Sequence, residues 1–247
     1  MSRYFLDEDL REVNEFRLKG PDLHHLKNVM RQKTGDFFTV IDACAWEYEA
    51  EILAYEGEEA HAAIVSRAPS ESELPVKITL CQALARGEKM DTLIRQAVEL
   101  GASAVLTFAS DHAQVKLSGS KLERRISHWQ AVAEAAAKQS GRAMIPEINY
   151  LDSTDKMIGF MQNQSVAFVP YEAEKEKSLK AFLKVKGVDE NSESLAFAIG
   201  PEGGFSAREC DLFAESGIET VSLGPRILRT ETAGPAVMAV LAAWIEE

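Results

Sequence analysis

The chain has 247 residues, an apolar fraction of 46% and a formal net charge of −12, apolar enough to bury a real core and too acidic overall to coat nucleic acid non-specifically. The opening segment MSRYFLDEDLREV has no apolar signal region, and no stretch approaches the roughly 18 uninterrupted apolar residues of a membrane helix, so a cytoplasmic location without membrane association is expected. Cys44, Cys81 and Cys210 show no CxxC spacing, and His24, His25, His61, His112 and His128 form no HExxH pattern, which leads to an expectation of three reduced buried thiols and no metal.

Short strands are predicted at residues 3–6, 15–18, 36–42, 46–55 and 60–67, from alternation in WEYEAEILAY and β-branched or aromatic content in DFFTVID. The helix PDLHHLKNVM lies between the second and third strands and starts at Pro21. The run APSESELP, polar and without hydrophobic periodicity, reads as an exposed linker. It separates a small β-rich domain, residues 1–70, from a larger one, residues 71–247. In the second domain strands and helices alternate: VKITLCQA and a helix at 87–100, SAVLTFA and a helix at 121–139, SVAFVP and a helix at 175–184. SLAFAIG, a helix at 207–216, ETVSLG and a helix ending at Trp244 complete the series. This pattern predicts a mostly parallel α/β sheet covered on both faces, with ligands outside the carboxyl ends of its strands.

Two loops stand at such ends. In AIGPEGGFS a buried strand runs into Gly200, Pro201, Glu202, Gly203 and Gly204, followed by Ser206 as a helix cap. By itself this is equally a ligand loop or a tight strand-to-helix turn. In VSLGPRILRTETAGPAVMAVLAAW a strand runs into Gly224 and Pro225, then Arg226, Arg229, Thr230 and Glu231 before an apolar helix, where Thr230 and Glu231 also suit a simple helix start. Neither loop is GxGxxG, and no GxxxxGK[ST] occurs, so nicotinamide and P-loop nucleotide binding are disfavoured.

AIGPEGGFS, LGPRILRTETA, QAVELGAS, HWQAVAEAAAKQSGRAMIPEI and HHLKNVMRQKTGD together resemble the bacterial 16S rRNA (uracil-N3)-methyltransferases of the SPOUT superfamily, from about Arg3 to the C-terminus. The resemblance implies a PUA-like β-barrel followed by a trefoil-knotted α/β domain, a homodimer, and S-adenosylmethionine as cofactor. It places the cofactor against Val169, Ile199, Gly200, Pro201, Gly203, Gly204, Leu223, Gly224, Ile227, Leu228, Thr230 and Ala233. It implies 16S ribosomal RNA, free or in the small subunit, as the partner. One departure is TETAGPAVMA, where the family usually has Ala or Leu in place of Gly234-Pro235, so the last helix is expected to start or kink there.

Arg229 is read as stabilising negative charge on uracil carbonyl oxygens while Glu231 or a water takes the N3 proton; a structural Arg229–Glu231 ion pair is the alternative. Lys116, Lys121, Arg124, Arg125, Lys138 and Arg142 face only Glu123 and Glu134 over the same stretch. From it Arg124, Arg125, His128 and Arg142, with Arg31 and Lys33 in the first domain, are read as RNA-docking residues. The stripe Trp129, Val132, Ala136 reads as core, as do Trp46 and Tyr48. Rival readings are a knotted methyltransferase acting on a ribose 2′-hydroxyl or a tRNA base, and a non-catalytic RNA-binding assembly factor.

Overall fold

Alternate residues of the long fourth strand point inward, and the first unit is built around them. In the computed structural model, which describes residues 3–87, 89–113 and 117–246, the strands are β1 (Arg3–Phe5), β2 (Glu15–Lys19), β3 (Phe37–Ile41), β4 (Trp46–Glu56) and β5 (Glu59–Pro69). They form one sheet in the order β1-β3-β4-β5-β2, antiparallel except for the β1–β3 pair. Register shifts between Glu49 and Ala50 and between Ile52 and Ala54 interrupt the β4–β5 ladder. Such bulges bend a strand and increase its twist, curling the sheet over Tyr4, Leu18, Leu26, Phe38, Tyr48 and Ile52. The predicted helix forms as α1 (Gly20–His24), with Pro21 in its first turn, and continues as a π-helical turn, His25–Val29.

Tyr48 is fully buried and donates its hydroxyl to Asp42, which also accepts the backbone N–H groups of Leu10, Cys44 and Trp46. Both strand aromatics are therefore packing residues, Trp46 from a half-buried position against the same core. Of the three thiols only Cys81 is buried; Cys44 is exposed and Cys210 intermediate, because the loop after β3 leaves Cys44 outside the sheet.

This unit extends to Glu73 and also takes in Gly141–Met144. Glu73 accepts the N–H groups of Ala143 and Met144 and forms a salt bridge with Arg142, which is only 3% exposed. Arg142 is thus a buried structural cation, not the surface RNA contact expected from its place in a basic stretch. Lys116 of that stretch lies outside the described residues.

The second unit, Leu74–Ser140 with Ile145–Glu247, carries β6 (Lys77–Ala83), β7 (Ala104–Phe108), β8 (Glu147–Leu151), β9 (Val166–Pro170), β10 (Ser194–Ile199) and β11 (Glu219–Val221). All neighbours are parallel in the order β11-β9-β10-β6-β7-β8. Its helices are α2 (Lys89–Glu99), α3 (Gly119–Ser140), α4 (Thr154–Met161), α5 (Leu179–Lys186), α6 (Ala207–Glu215) and α7 (Thr230–Ile245). Strand β8 and helix α4, absent from the predicted elements, lie in a short stretch of mixed polarity.

Alternate residues of the central strands feed two cores. Ile78, Leu80, Leu195, Phe197 and Ile199 pack with residues of α2, α3, α5 and α7, while Cys81, Ala83, Ala196 and Ala198 pack with α4 and α6. Both faces are covered, as a parallel sheet requires. Trp129 and Ala136 are buried in the first core and Val132 packs against it.

Helix α7 starts at Thr230 and runs through Pro235, so the Gly234-Pro235 pair is not the helix start. Proline removes one N–H and leaves the Glu231 carbonyl without its i+4 donor. Gly234 is buried, and a Cβ there would meet Leu80 Cδ2 at 3.6 Å, an ordinary van der Waals contact. Gly234→Ala is accordingly expected to stabilise the protein by up to about 1 kcal/mol through helix propensity, read as a rise in denaturant midpoint; a fall would mean that α7 is displaced from β6.

Candidate functional site

Proceeding outward from β6 along the chain, β7 and β8 add to one side and β10, β9 and β11 lie on the other. The direction of sheet growth therefore reverses between β6 and β10. Loops diverge at such a switch point and leave a crevice at the carboxyl ends. A cavity of about 530 Å³ lies at this end of the sheet, lined by 170–172 after β9, 199–205 after β10, and 223–231 with Ala233 after β11, together with Lys89 at the start of α2. Its size falls within the roughly 300–1,000 Å³ of small-molecule sites.

Eleven of the twelve residues assigned to the cofactor line this cavity: Ile199, Gly200, Pro201, Gly203, Gly204, Leu223, Gly224, Ile227, Leu228, Thr230 and Ala233. Val169 does not. It is fully buried in the core shared with α4 and α6, because the side chain of a strand's penultimate residue still points into a sheet face; Pro170, Tyr171 and Glu172 just beyond it reach the cavity. Both proposed reaction residues, Arg229 and Glu231, are on the wall.

The glycines serve the backbone path. Gly204 has φ +70° and Gly224 φ +104°, left-handed values that strain other residues. A Cβ on Gly224 would meet nothing within 4 Å, whereas one on Gly203 would come within 3.3 Å of His112 Cβ. His112 Nδ1 lies 3.2 Å from the carbonyl oxygens of both Gly203 and Gly204; carbonyls only accept, so this contact requires the proton on Nδ1. Beneath the loop, Ser206 and Glu209 cap α6 reciprocally. The buried Glu209 carboxylate also accepts from Ser110, the Asp111 N–H and Thr154, so one side chain ties the glycine loop to the ends of β7 and α4.

The two glycine-bearing loops are clamped together. Thr230 donates its hydroxyl to the Gly200 carbonyl at 2.7 Å and accepts from Gln82 Nε2 at 3.0 Å, and Gln82 also donates to the Ala83 carbonyl. Gln82 is completely buried, so Thr230 spends its hydroxyl proton on the scaffold and can offer a ligand only its remaining lone pair and its methyl group. Thr230→Val is expected to cost about 1–3 kcal/mol by leaving two buried polar groups unmatched, and to weaken small-molecule binding in the cavity. Unchanged thermal stability would show that the clamp contributes nothing.

Charge on the wall is arranged around Lys89. Its ammonium lies 3.0 Å from Glu202 Oε1 and 3.4 Å from Glu231 Oε2. Burial works against the Glu202 carboxylate, but hydrogen bonds from its own N–H, from Lys89 and from the Arg86 N–H outweigh it and hold the pKa below the ordinary carboxylate value. The same hydrogen bond to Glu202 raises the Lys89 pKa. Glu231 therefore pairs with Lys89, and among the described residues Arg229 makes no ion pair. Arg229 is exposed at the N-cap of α7, without a side-chain capping bond.

Lys89, Gln82 and Glu172 carry no expectation from the sequence, and His112 enters there only as a histidine without a metal-ligand pattern. Gln82 had a legible signal, an amide inside an otherwise apolar strand, since a buried amide needs partners. Lys89, at the start of α2, and His112, in the loop after β7, had none, as both lie far from these loops in the chain. The RNA-docking set divides: Arg31, Lys33, Arg124, Arg125 and His128 are exposed, with Arg31 at φ +55° and His128 paired to Asp91 at 2.7 Å. Arg31 and Lys33 belong to the first unit and the other three to the second.

Known proteins resemble this chain over both of its units. A family model described as an RNA methyltransferase domain matches residues 72–242, and one described as an RNA methyltransferase PUA domain matches residues 18–65. The ribosomal RNA small subunit methyltransferase E of Bacillus subtilis (strain 168) is 31% identical over 237 residues, 94% of this chain and 93% of the relative. The crystal structure of the protein of that name from Neisseria gonorrhoeae bound to S-adenosyl methionine superposes with a TM-score of 0.84 at 27% identity, covering 99% of this chain and 98% of the other. A putative methyltransferase from Legionella pneumophila in complex with SAM gives 0.81 at 27% identity over 98% and 96% of the two chains. With both of its sequence modules matched and its cavity formed by the two glycine-bearing loops, the chain belongs to the RNA methyltransferase family, among the PUA-bearing small-subunit methyltransferase E proteins.

Proposed function

We propose that this protein uses S-adenosylmethionine to methylate N3 of a uridine in 16S ribosomal RNA, acting in the cytoplasm as a homodimer. The observation that carries the reading is the cavity at the sheet's switch point, where two backbone-rich loops meet and where Arg229 and Glu231 stand on one wall. The residues present fit the cofactor. The loops offer glycine backbone, Gly224 leaves open space where a side chain would stand, and Glu231 Oε2 is buried without a hydrogen-bond donor among the described residues.

When bound, S-adenosylmethionine supplies an electrophilic methyl group on a cationic sulfur. The chain's own residues align and activate the acceptor. N3 of uracil carries a proton and is used in base pairing, so the base must be unpaired or extruded before it enters the cavity. Glu231 takes the N3 proton; the N3 electron pair forms the new N–C bond, and the S–C bond electrons return to sulfur, leaving a neutral thioether. Arg229 stabilises the negative charge that spreads onto the uracil carbonyl oxygens as the proton leaves. Closure of the site around the base excludes water and holds donor and acceptor in line.

Arg31, Lys33, Arg124, Arg125 and His128 dock the RNA in this reading, each from an exposed position. Charge reversal at Arg124 and Arg125 is expected to weaken RNA binding and to lower the slope of log affinity against log salt by between one and two; an unchanged slope would remove these residues from the interface. The homodimer is supported by apolar side chains left exposed on α7 and the cavity loop, Val240 at 44% and Ile227 at 82%, and sedimentation of a monomer at micromolar concentration would count against it. The knotted chain path belongs to the same reading; a crystal structure showing an unthreaded path would remove it.

The deciding experiment is nucleoside mapping of 16S rRNA from cells lacking the protein. Loss of a single 3-methyluridine is expected. Loss of a ribose 2′-O-methyl group, of a tRNA modification, or of none would overturn the assignment, and absent calorimetric binding of S-adenosylmethionine would favour a non-catalytic role.

A further inference from the structure

The N-terminal residue of α2 reaches both cofactor loops at once. Lys89 Nζ is 3.0 Å from Glu202 in the loop after β10 and 3.4 Å from Glu231 in the first turn of α7, positions far apart in the chain. Its contact with Glu202 is a hydrogen bond. Its contact with Glu231 is an ion pair to Oε2, an atom buried on the cavity wall that receives no well-aligned hydrogen bond among the described residues. The Arg86 N–H anchors the same Glu202 oxygen at 3.2 Å, which fixes where the ammonium can sit.

We propose that Lys89 is a positioning residue for methyl transfer: anchored through Glu202, it holds the Glu231 carboxylate at the cavity wall, where Glu231 takes the proton of the incoming N–H group. The contact at 3.4 Å sets where the Glu231 carboxylate sits, and the shorter contact with Glu202 sets where the ammonium sits. Glu202 is thus the anchor and Glu231 the working group. This inference rests on the reading of Glu231 as proton acceptor.

The test is a double-substitution cycle with Lys89→Met and Glu231→Gln, measuring single-turnover methylation of small-subunit RNA and calorimetric affinity for S-adenosylmethionine. Glu231→Gln is expected to slow methylation about 100-fold, within the usual range for loss of a general base. Lys89→Met is expected to slow it about 10-fold while changing cofactor affinity less than threefold, and Lys89→Arg to restore most of the rate. Because Lys89 acts through Glu231, the double variant is expected to be no slower than Glu231→Gln alone. Wild-type turnover in Glu231→Gln would overturn the acceptor reading itself. An impaired Glu231→Gln with unimpaired Lys89→Met, or with losses that multiply in the double variant, would leave that reading standing and overturn the role of Lys89. A Lys89→Met defect confined to cofactor affinity or thermal stability would also overturn it.

Discussion

Arg229→Ala is expected to lower the single-turnover rate of RNA methylation by about 100- to 1,000-fold, the usual loss when a group that stabilises developing charge is removed. Its effect on folding is expected to be within about 0.5 kcal/mol, because Arg229 is exposed and an exposed side chain of this kind contributes little to stability. Among the described residues the guanidinium makes no ion pair, and as N-cap of α7 it uses no side-chain hydrogen bond, so alanine leaves no buried charge unmatched and no cap undone. Cofactor affinity is expected to stay within threefold, since the loops present mainly backbone. The combination separates the two roles open at the level of sequence: a structural ion pair predicts a stability loss with the rate preserved, charge stabilisation the reverse. Full activity with intact cofactor binding would remove Arg229 from the reaction.

Arg142→Ala is expected to destabilise the first unit by about 3–5 kcal/mol, the cost of leaving one member of a buried ion pair alone. Arg142 is 3% exposed, and its partner Glu73 is 14% exposed while also holding the N–H groups of Ala143 and Met144. Removing the guanidinium leaves a carboxylate in a low-dielectric setting and loosens the turn by which Gly141–Met144 joins this unit. Denaturant unfolding followed separately for the two units reads the effect. Arg142→Met, which keeps most of the packing volume, is expected to recover little of it, because the unpaired Glu73 charge persists. A shift below about 0.5 kcal/mol for both variants would return Arg142 to the class of surface cations.

These two arginines mark how far sequence carries. Both lie near motifs, both are basic, and local pattern assigns each to function; burial separates them. Arg229 follows a strand end in a glycine- and proline-bearing loop, and loops at the carboxyl ends of parallel strands are surfaces by construction. Arg142 follows a long helix in a stretch with a positive excess, but charge excess does not report whether a side chain faces water or a carboxylate 69 residues away. Val169 illustrates the same limit one residue from the cavity: strand periodicity, not proximity to the motif, determines which way its side chain points.

Most of the strand and helix alternation, the two glycine-bearing loops and the Ser206 cap of α6 are legible in the amino-acid sequence. Hydrophobic periodicity, glycine and proline placement, and short-range hydrogen bonding such as the Ser206–Glu209 capping box act within a few residues. Which polar groups complete the site follows from the packing of remote segments. Lys89 reaches Glu202 and Glu231, Gln82 reaches Thr230, and His112 reaches the Gly203 and Gly204 carbonyls. Each of these contacts spans about 90 residues or more, and electrostatic and hydrogen-bond partners are selected by distance in space, which the order of strands in the sheet sets and local sequence pattern does not encode.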